Sequence, residues 1–147
     1  MFKRNRSLIT FSLVIFGFGL VAGSAIQFAG VAEAQTSNRV FELRTYTTHP
    51  DRLEELQARF RDHTVQLFER HGMTNIGYFT PQESPLADNT LIYLLAHDSR
   101  EAAEASWAGF AGDPDWLKAA EESRRNGRLL ESVVSVFLDP TDYSRMQ

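Results

Sequence analysis

The chain of 147 residues contains no cysteine, which excludes disulfide bonds, thiolate catalysis and zinc sites with sulfur ligands. It also lacks G-x-S-x-G, the P-loop and G-x-G-x-x-G, so hydrolase, NTPase and dinucleotide-binding functions have no support. H-E-x-x-H is absent, and the four histidines are not spaced three or four residues apart. We therefore expect neither a zinc enzyme nor a bound metal.

The first 34 residues have the form of a secretory signal peptide. Lys3, Arg4 and Arg6 give a positive start, residues 8–21 are almost wholly apolar, and Ala32-Glu33-Ala34 is an A-x-A cleavage pattern. The apolar run is shorter than the ~20 residues that cross a bilayer. The pattern predicts cleavage after Ala34 and release to a periplasmic or extracellular space, with an uncleaved membrane anchor as the alternative.

The remaining residues, 35–147, are enough for one domain. The leader holds three of the 15 basic residues and one of the 19 acidic residues, so the predicted mature chain has a net charge of −6. A protein that binds nucleic acid usually presents a basic face. We therefore expect no nucleic-acid partner, and a membrane contact only through an uncleaved leader.

Hydrophobic periodicity predicts four strands and two helical regions in the order βαββαβ. Strands are expected at 39–47, 73–80, 90–97 and 129–138, and helices at about 50–71, 98–110 and 113–126. This order predicts an α+β, ferredoxin-like fold, in which a four-stranded antiparallel sheet carries its helices on one face. The strands are apolar on both faces, which predicts a homodimer that packs two sheets into a dimeric α/β barrel.

Three motifs resemble the NIPSNAP family: E-x-R-x-Y beginning at Glu42, H-G at His71, and W-x-x-F-x-x-D-P-x-W beginning at Trp107. The resemblance covers residues 39–144, so residues 35–147 form a NIPSNAP-like domain. It implies a dimeric, ferredoxin-like barrel, and it implies little about chemistry because the family's molecular activity is poorly defined.

Glu42, Arg44 and Tyr46 are expected on the same side of the first strand, because side chains alternate along a strand. Arg44 is a candidate anion clamp, and Tyr46 a candidate hydroxyl donor. The alternative is that Glu42 and Arg44 form ion pairs between strands or between subunits and hold the register.

His63 lies on the predicted apolar stripe of the first helix, where it is either a hydrogen-bonded core residue or a general base, haem ligand or metal ligand. His71 is better explained by the helix end, where a positive partial charge is favourable. Tyr78 and Trp107 are candidate pocket walls. The alternative for Trp107, with Phe110 and Trp116, is packing in the core and the dimer.

Two functions remain open from the sequence. The first is an exported, homodimeric module of undefined activity that binds a small ligand or a protein. The alternative is a small-molecule monooxygenase or haem-handling enzyme, by analogy with other dimeric α/β barrels. In the second case His63 would be the base or axial haem ligand, Arg44 the anion clamp, and Tyr46, Tyr78 and Trp107 the site walls.

Overall fold

The computed structural model of the chain describes residues 39–146. The predicted signal peptide, its cleavage point and the domain boundary at residue 34 lie outside the described residues and stay predictions. No helix within 39–146 combines the length and apolar character that a membrane crossing needs.

The described elements follow the predicted βαββαβ order, with bounds within a few residues of those expected. In chain order they are β1 (Val40–Thr48), α1 (Leu53–Arg59), a π-helical turn (Phe60–Thr64), α2 (Val65–Arg70), β2 (Thr74–Phe79), a 3-10 turn (Leu86–Asp88), β3 (Thr90–His97), α3 (Arg100–Gly112), α4 (Pro114–Glu122) and β4 (Leu130–Leu138).

The four strands form one sheet in the order β2-β3-β1-β4, and every neighbouring pair is antiparallel. This is the strand order of the ferredoxin-like fold, so the predicted fold class is confirmed. The register is regular across the centre: Arg44 of β1 lies opposite Tyr93 of β3 and Ser135 of β4. β1 is thus one of the two central strands, and it carries the candidate site residues Arg44 and Tyr46.

Residues that lie opposite one another in the sheet point to the same face, which defines an inner and an outer face. The inner face, towards the helices, consists of Val40, Glu42, Arg44, Tyr46, Asn75, Tyr78, Leu91, Tyr93, Leu95, His97, Val133, Ser135 and Phe137. The outer face consists of Phe41, Leu43, Thr45, Thr47, Thr74, Gly77, Phe79, Thr90, Ile92, Leu94, Ala96, Ser132, Val134, Val136 and Leu138. The charged side chains of the two faces, Glu42 and Arg44, both lie on the inner face, and the outer face is uncharged.

The sequence predicts one continuous helix at about 50–71. The structure differs, because a π turn at Phe60–Thr64 separates α1 from α2. A π turn holds more residues than an α turn, so side chains beyond Phe60 rotate relative to an ideal helix. Thr64 then lies in the core, and its hydroxyl donates to the Arg59 carbonyl at 3.2 Å. Phe60 and Leu67 are buried as expected, but His63 between them is not.

The break between α3 and α4 arises where the sequence predicts it. Ser99 begins α3 by accepting a hydrogen bond from the Ala102 amide, and Asp113 begins α4 by accepting one from the Asp115 amide. Pro114 occupies the first turn of α4, where its missing N–H costs nothing. These caps bring Phe110 and Trp116 together with ring centroids 4.4 Å apart, so the two short helices share one aromatic contact with the core.

Candidate functional site

A buried carboxylate is the centre of the inner face. Glu42 is 1 % exposed and accepts four hydrogen bonds. Oε1 accepts from Arg44 Nη1 at 2.7 Å and from the Ser135 hydroxyl at 2.6 Å. Oε2 accepts from Trp107 Nε1 at 2.6 Å and lies 3.1 Å from His97 Nε2. We call these five residues the Glu42 network; it connects β1, β3, β4 and α3.

Arg44 already has a counter-charge in Glu42, so the structure favours the ion-pair interpretation over an anion clamp. The sequence analysis proposed an ion pair between strands or between subunits. In the structure Glu42 and Arg44 instead pair with each other along the same strand. The guanidinium carbon also lies 4.1 Å from the Trp107 ring centroid and 5.5 Å from that of Tyr46. Cation–π contact on both rings leaves Arg44 half-enclosed and oriented for Glu42 rather than for a ligand.

The Glu42 network predicts a loss of stability in acid. Burial would raise the pKa of Glu42, but hydrogen bonds from His97, Ser135, Trp107 and Arg44 outweigh it and lower the pKa to about 2 from 4.5. A carboxyl whose pKa is lowered by folding stabilises the fold above its unfolded pKa. We expect about 3 kcal/mol of the unfolding free energy to disappear as the pH falls from about 4.5 to 2.

The measurement is urea unfolding at several pH values, with the near-isosteric variant Glu42→Gln as the control. The variant cannot titrate at this position. The stability difference between parent and variant should therefore shrink through that acid window. A difference that is the same at pH 6 and pH 3 would contradict the assignment.

Tyr46, Tyr93 and Tyr78 form an aromatic column across the inner face. The rings of Tyr46 and Tyr93 meet edge-on at 5.2 Å, and those of Tyr93 and Tyr78 stack at 5.5 Å. Burial raises the pKa of both Tyr93 and Tyr78, so both hydroxyls stay protonated. The Tyr78 hydroxyl donates to Asn75 Oδ1. Arg44, Tyr46 and Trp107 are thus brought together, while Tyr78 adjoins them through Tyr93.

Tyr78 also borders an opening of its own beside the edge strand β2. This opening has a volume of about 350 Å³ and is lined mainly by Phe60, Val65, Tyr78, Phe79 and Leu91. Its walls are largely apolar, as in many small-molecule sites. Tyr78 can therefore serve as a pocket wall, and Arg44 is not among the residues that line this opening.

His63 does not lie between helix and sheet, so the interpretation as a core residue is wrong, and its role as a base or ligand stays a prediction. The π turn rotates it to the exposed side of the helix, where it borders a surface groove with Lys118 and Glu122 of α4. His71 is at the end of α2 as predicted, and its Nε2 lies 2.7 Å from Asp113 Oδ2. Within residues 39–146, no three His, Asp or Glu side chains gather as a metal site would require.

The sequence analysis missed Arg59, which is buried with only 8 % of its surface exposed. It ends α1, between Leu56 and the π turn, and reaches the inner side of α4. A cation three residues after one buried leucine and directly before a buried phenylalanine was a visible signal, because such a position normally holds an apolar side chain.

The sequence model of the NIPSNAP family matches residues 41–145 of this chain. The chain belongs to the NIPSNAP family. No curated protein is similar enough to count as a relative.

Solved structures of NIPSNAP proteins share the fold at low sequence identity. A NIPSNAP-like domain protein from Burkholderia xenovorans is 21 % identical with a TM-score of 0.64, over 74 % of this chain and 90 % of that one. A NIPSNAP family protein of unknown function from Agrobacterium tumefaciens is 20 % identical with a TM-score of 0.66, over 76 % and 96 %. A second protein of the family from Agrobacterium tumefaciens is 22 % identical with a TM-score of 0.65, over 74 % and 99 %. These similarities support the fold and leave the activity open.

The geometry explains the three NIPSNAP motifs in physical terms. E-x-R-x-Y places a carboxylate, its counter-ion and an aromatic ring on one face of β1. H-G ends α2: His71 contacts Asp113, and Gly72 adopts φ +78°, which L side chains rarely adopt. W-x-x-F-x-x-D-P-x-W supplies a donor to Glu42, two core rings and the cap of α4. The motifs thus specify one network that ties the helices to the sheet.

Proposed function

We propose that this NIPSNAP protein is exported, forms a homodimer through the outer face of its sheet, and binds a small molecule between its helices and that sheet. The observation that carries the proposal is the composition of the outer face. Of its fifteen paired residues, nine have apolar side chains, the others are Gly77, four threonines and Ser132, and none is charged.

Several outer-face side chains are exposed in the single chain. Phe79 is 57 % exposed, Val134 55 % and Val136 46 %. Within residues 39–146, the helices' ring and hydrogen-bond contacts reach the inner face only, as with Trp107 and Glu42 or Phe60 and Tyr46. Continuous apolar patches of this kind mark interaction surfaces.

The size of the outer face suits a self-complementary pair of sheets. Four strands span about 19 Å across the sheet and eight residues span about 26 Å along it, a plane of roughly 500 Å². Side chains make the accessible area larger than the plane, and a standard interface buries about 800 Å² on each partner. A twofold pairing uses the same face on both copies and leaves no apolar surface open.

A small ligand is supported by two openings between helices and sheet. One adjoins Tyr78 and has a volume of about 350 Å³; the other adjoins Tyr46 and has a volume of about 300 Å³. Both lie at the lower end of the range for small-molecule sites. The Glu42 network offers no comparable reactive group, because its carboxylate is saturated with donors. We therefore favour binding over catalysis.

The position of His63 does not support the oxygenase and haem alternatives. That residue was to be the base or axial ligand in a helix–sheet cleft, and it lies on the exposed side of the helix. His97, the buried histidine of the inner face, is engaged by Glu42. Neither His63 nor His97 is therefore placed to hold a haem in this cleft.

Export is tested by expressing the full chain with its own leader in a bacterium and determining the N-terminus of the purified protein. Cleavage at the A-x-A pattern gives a protein that begins at Gln35 and is recovered from the periplasm or the medium. A variant with Ala32 and Ala34 both changed to Asp is the matched control and should keep its leader. An unprocessed parent protein in the cytoplasm would contradict export.

A further inference from the structure

A cationic opening lies where α1 and α4 meet the start of β4. It has a volume of about 300 Å³, and three arginines line it: Arg59, Arg124 and Arg128. Tyr46, Trp116 and Leu129 supply aromatic and aliphatic walls. Within residues 39–146 no carboxylate borders the opening, so these residues give it excess positive charge and apolar surface.

Arg59 is the deepest of the three arginines and has few partners. Its Nη1 donates to the Ser123 hydroxyl at 3.2 Å, and its guanidinium carbon lies 5.1 Å from the Trp116 ring centroid. Its Nε is buried without a hydrogen-bond acceptor in residues 39–146. The Nη2 atom of Arg59 also makes no hydrogen bond within residues 39–146. Unlike Nε, Nη2 is accessible to solvent. Buried charges are normally paired, so Arg59 lacks an anion.

Nearby carboxylates do not supply that anion. A second opening, on the outer side of α1, is bordered by Arg59 together with Glu55, Asp62 and Glu122. Glu55 pairs with Arg52 at 2.6 Å and Glu122 with Arg125 at 3.6 Å. None of the three forms an ion pair with Arg59 in the described part of the chain.

The other two arginines reinforce the positive charge at the mouth. Arg124 is exposed, and its Nε donates to the Ala120 carbonyl at 2.8 Å. Burial and the charge of Arg124 both lower the pKa of Arg59. An anion that enters the opening would offset the desolvation of the Arg59 charge. It would also reduce the repulsion between Arg59 and Arg124.

We propose that this opening binds a small organic carboxylate, with the carboxylate on Arg59 and an apolar or aromatic body against Trp116 and Leu129. A guanidinium presents parallel donors that match a planar carboxylate. The apolar walls favour an organic anion over an inorganic one. This inference rests on the proposed ligand-binding function and specifies its site and ligand class.

The test is a ligand-observed NMR titration of the purified full-length gene product, in the form in which it is recovered. The probes are phenylacetate, the neutral isostere phenylacetamide, and inorganic phosphate. We expect phenylacetate to bind at least tenfold more tightly than either of the others. Equal binding of phenylacetamide would overturn the anion assignment while leaving ligand binding intact, and binding of phosphate alone would overturn the organic part.

Variants locate the site. Arg59→Met should weaken phenylacetate at least tenfold, whereas Arg125→Met, one residue from Arg124 and outside the opening, should leave it unchanged. Thermal unfolding separates binding from folding: Arg59→Met removes an uncompensated buried charge, so its midpoint should not fall. The exposed pair Arg124→Met/Arg128→Met should weaken binding about threefold or more without affecting the fold. Phenylacetate affinity that is unchanged in both variants, or absent in the parent, would overturn the proposal.

Discussion

Replacing Glu42 by glutamine is expected to lower the unfolding free energy by about 3 to 5 kcal/mol at neutral pH. The substitution keeps the size of the side chain but removes its charge. Arg44, which is half-enclosed between Trp107 and Tyr46, would then be a cation without a counter-ion. One oxygen of Glu42 would also become an NH₂ group facing existing donors. A loss of this size is a large part of the 5–15 kcal/mol by which a typical domain is stable.

The double variant Glu42→Met/Arg44→Met is the control that separates charge from packing. Removing both charges leaves no unpaired ion, so the double variant should be more stable than the Glu42→Gln single variant. Urea unfolding at one fixed protein concentration measures all three proteins, since the stability of a dimer depends on concentration. Losses under 1 kcal/mol for Glu42→Gln would contradict the Glu42 network as the element that ties α3 to the sheet.

Placing aspartate at both Val134 and Val136 is expected to weaken dimerisation by at least about 1,000-fold. Both positions lie on the outer face of β4, and a twofold interface would contain each of them twice. Burying unpaired carboxylates costs several kcal/mol, and every 1.4 kcal/mol is tenfold in the dissociation constant. In a separated chain both side chains reach water, so the variant should remain folded. Sedimentation velocity gives the mass, and circular dichroism gives the helix content.

Val133→Asp is the matched control because it lies on the same strand and points to the inner face. Its exposure, 45 %, is close to the 46 % of Val136. An aspartate at Val133 is therefore similar to one at Val136 in its position along β4 and in its exposure. It differs in lying on the inner face of the sheet. If Val133→Asp dissociated the dimer as strongly as the outer-face variant, the interface could not be the outer face.

Most of the fold could be predicted from the sequence because strong local signals mark its elements. Alternation located β1, the apolar run located β3, and Asp113-Pro114 marked the start of α4. The π turn at Phe60–Thr64 could not be predicted in the same way. It depends on which residues the sheet and α4 can accommodate, and hydrophobic periodicity assumes a regular helix. The error at His63 follows from that assumption, since one altered turn moved the residue from the buried side to the exposed side.

The candidate site could be predicted in part. Alternation along β1 correctly placed Glu42, Arg44 and Tyr46 together, because sequence neighbours two apart share a face. The partners of Glu42 on β4 and α3, Ser135 and Trp107, are 93 and 65 residues away. Only the register of β4 and the position of α3 bring them near. Whether the Glu42 carboxylate is saturated with donors depends on those distant residues.

The homodimer is the central claim of the proposed function, and the mass of the unmodified protein in solution tests it most directly. Sedimentation equilibrium at about 10 µM should give twice the chain mass found by intact-mass measurement, because the outer face would leave a single chain with an uncovered apolar surface. A mass equal to one chain at that concentration would contradict the account.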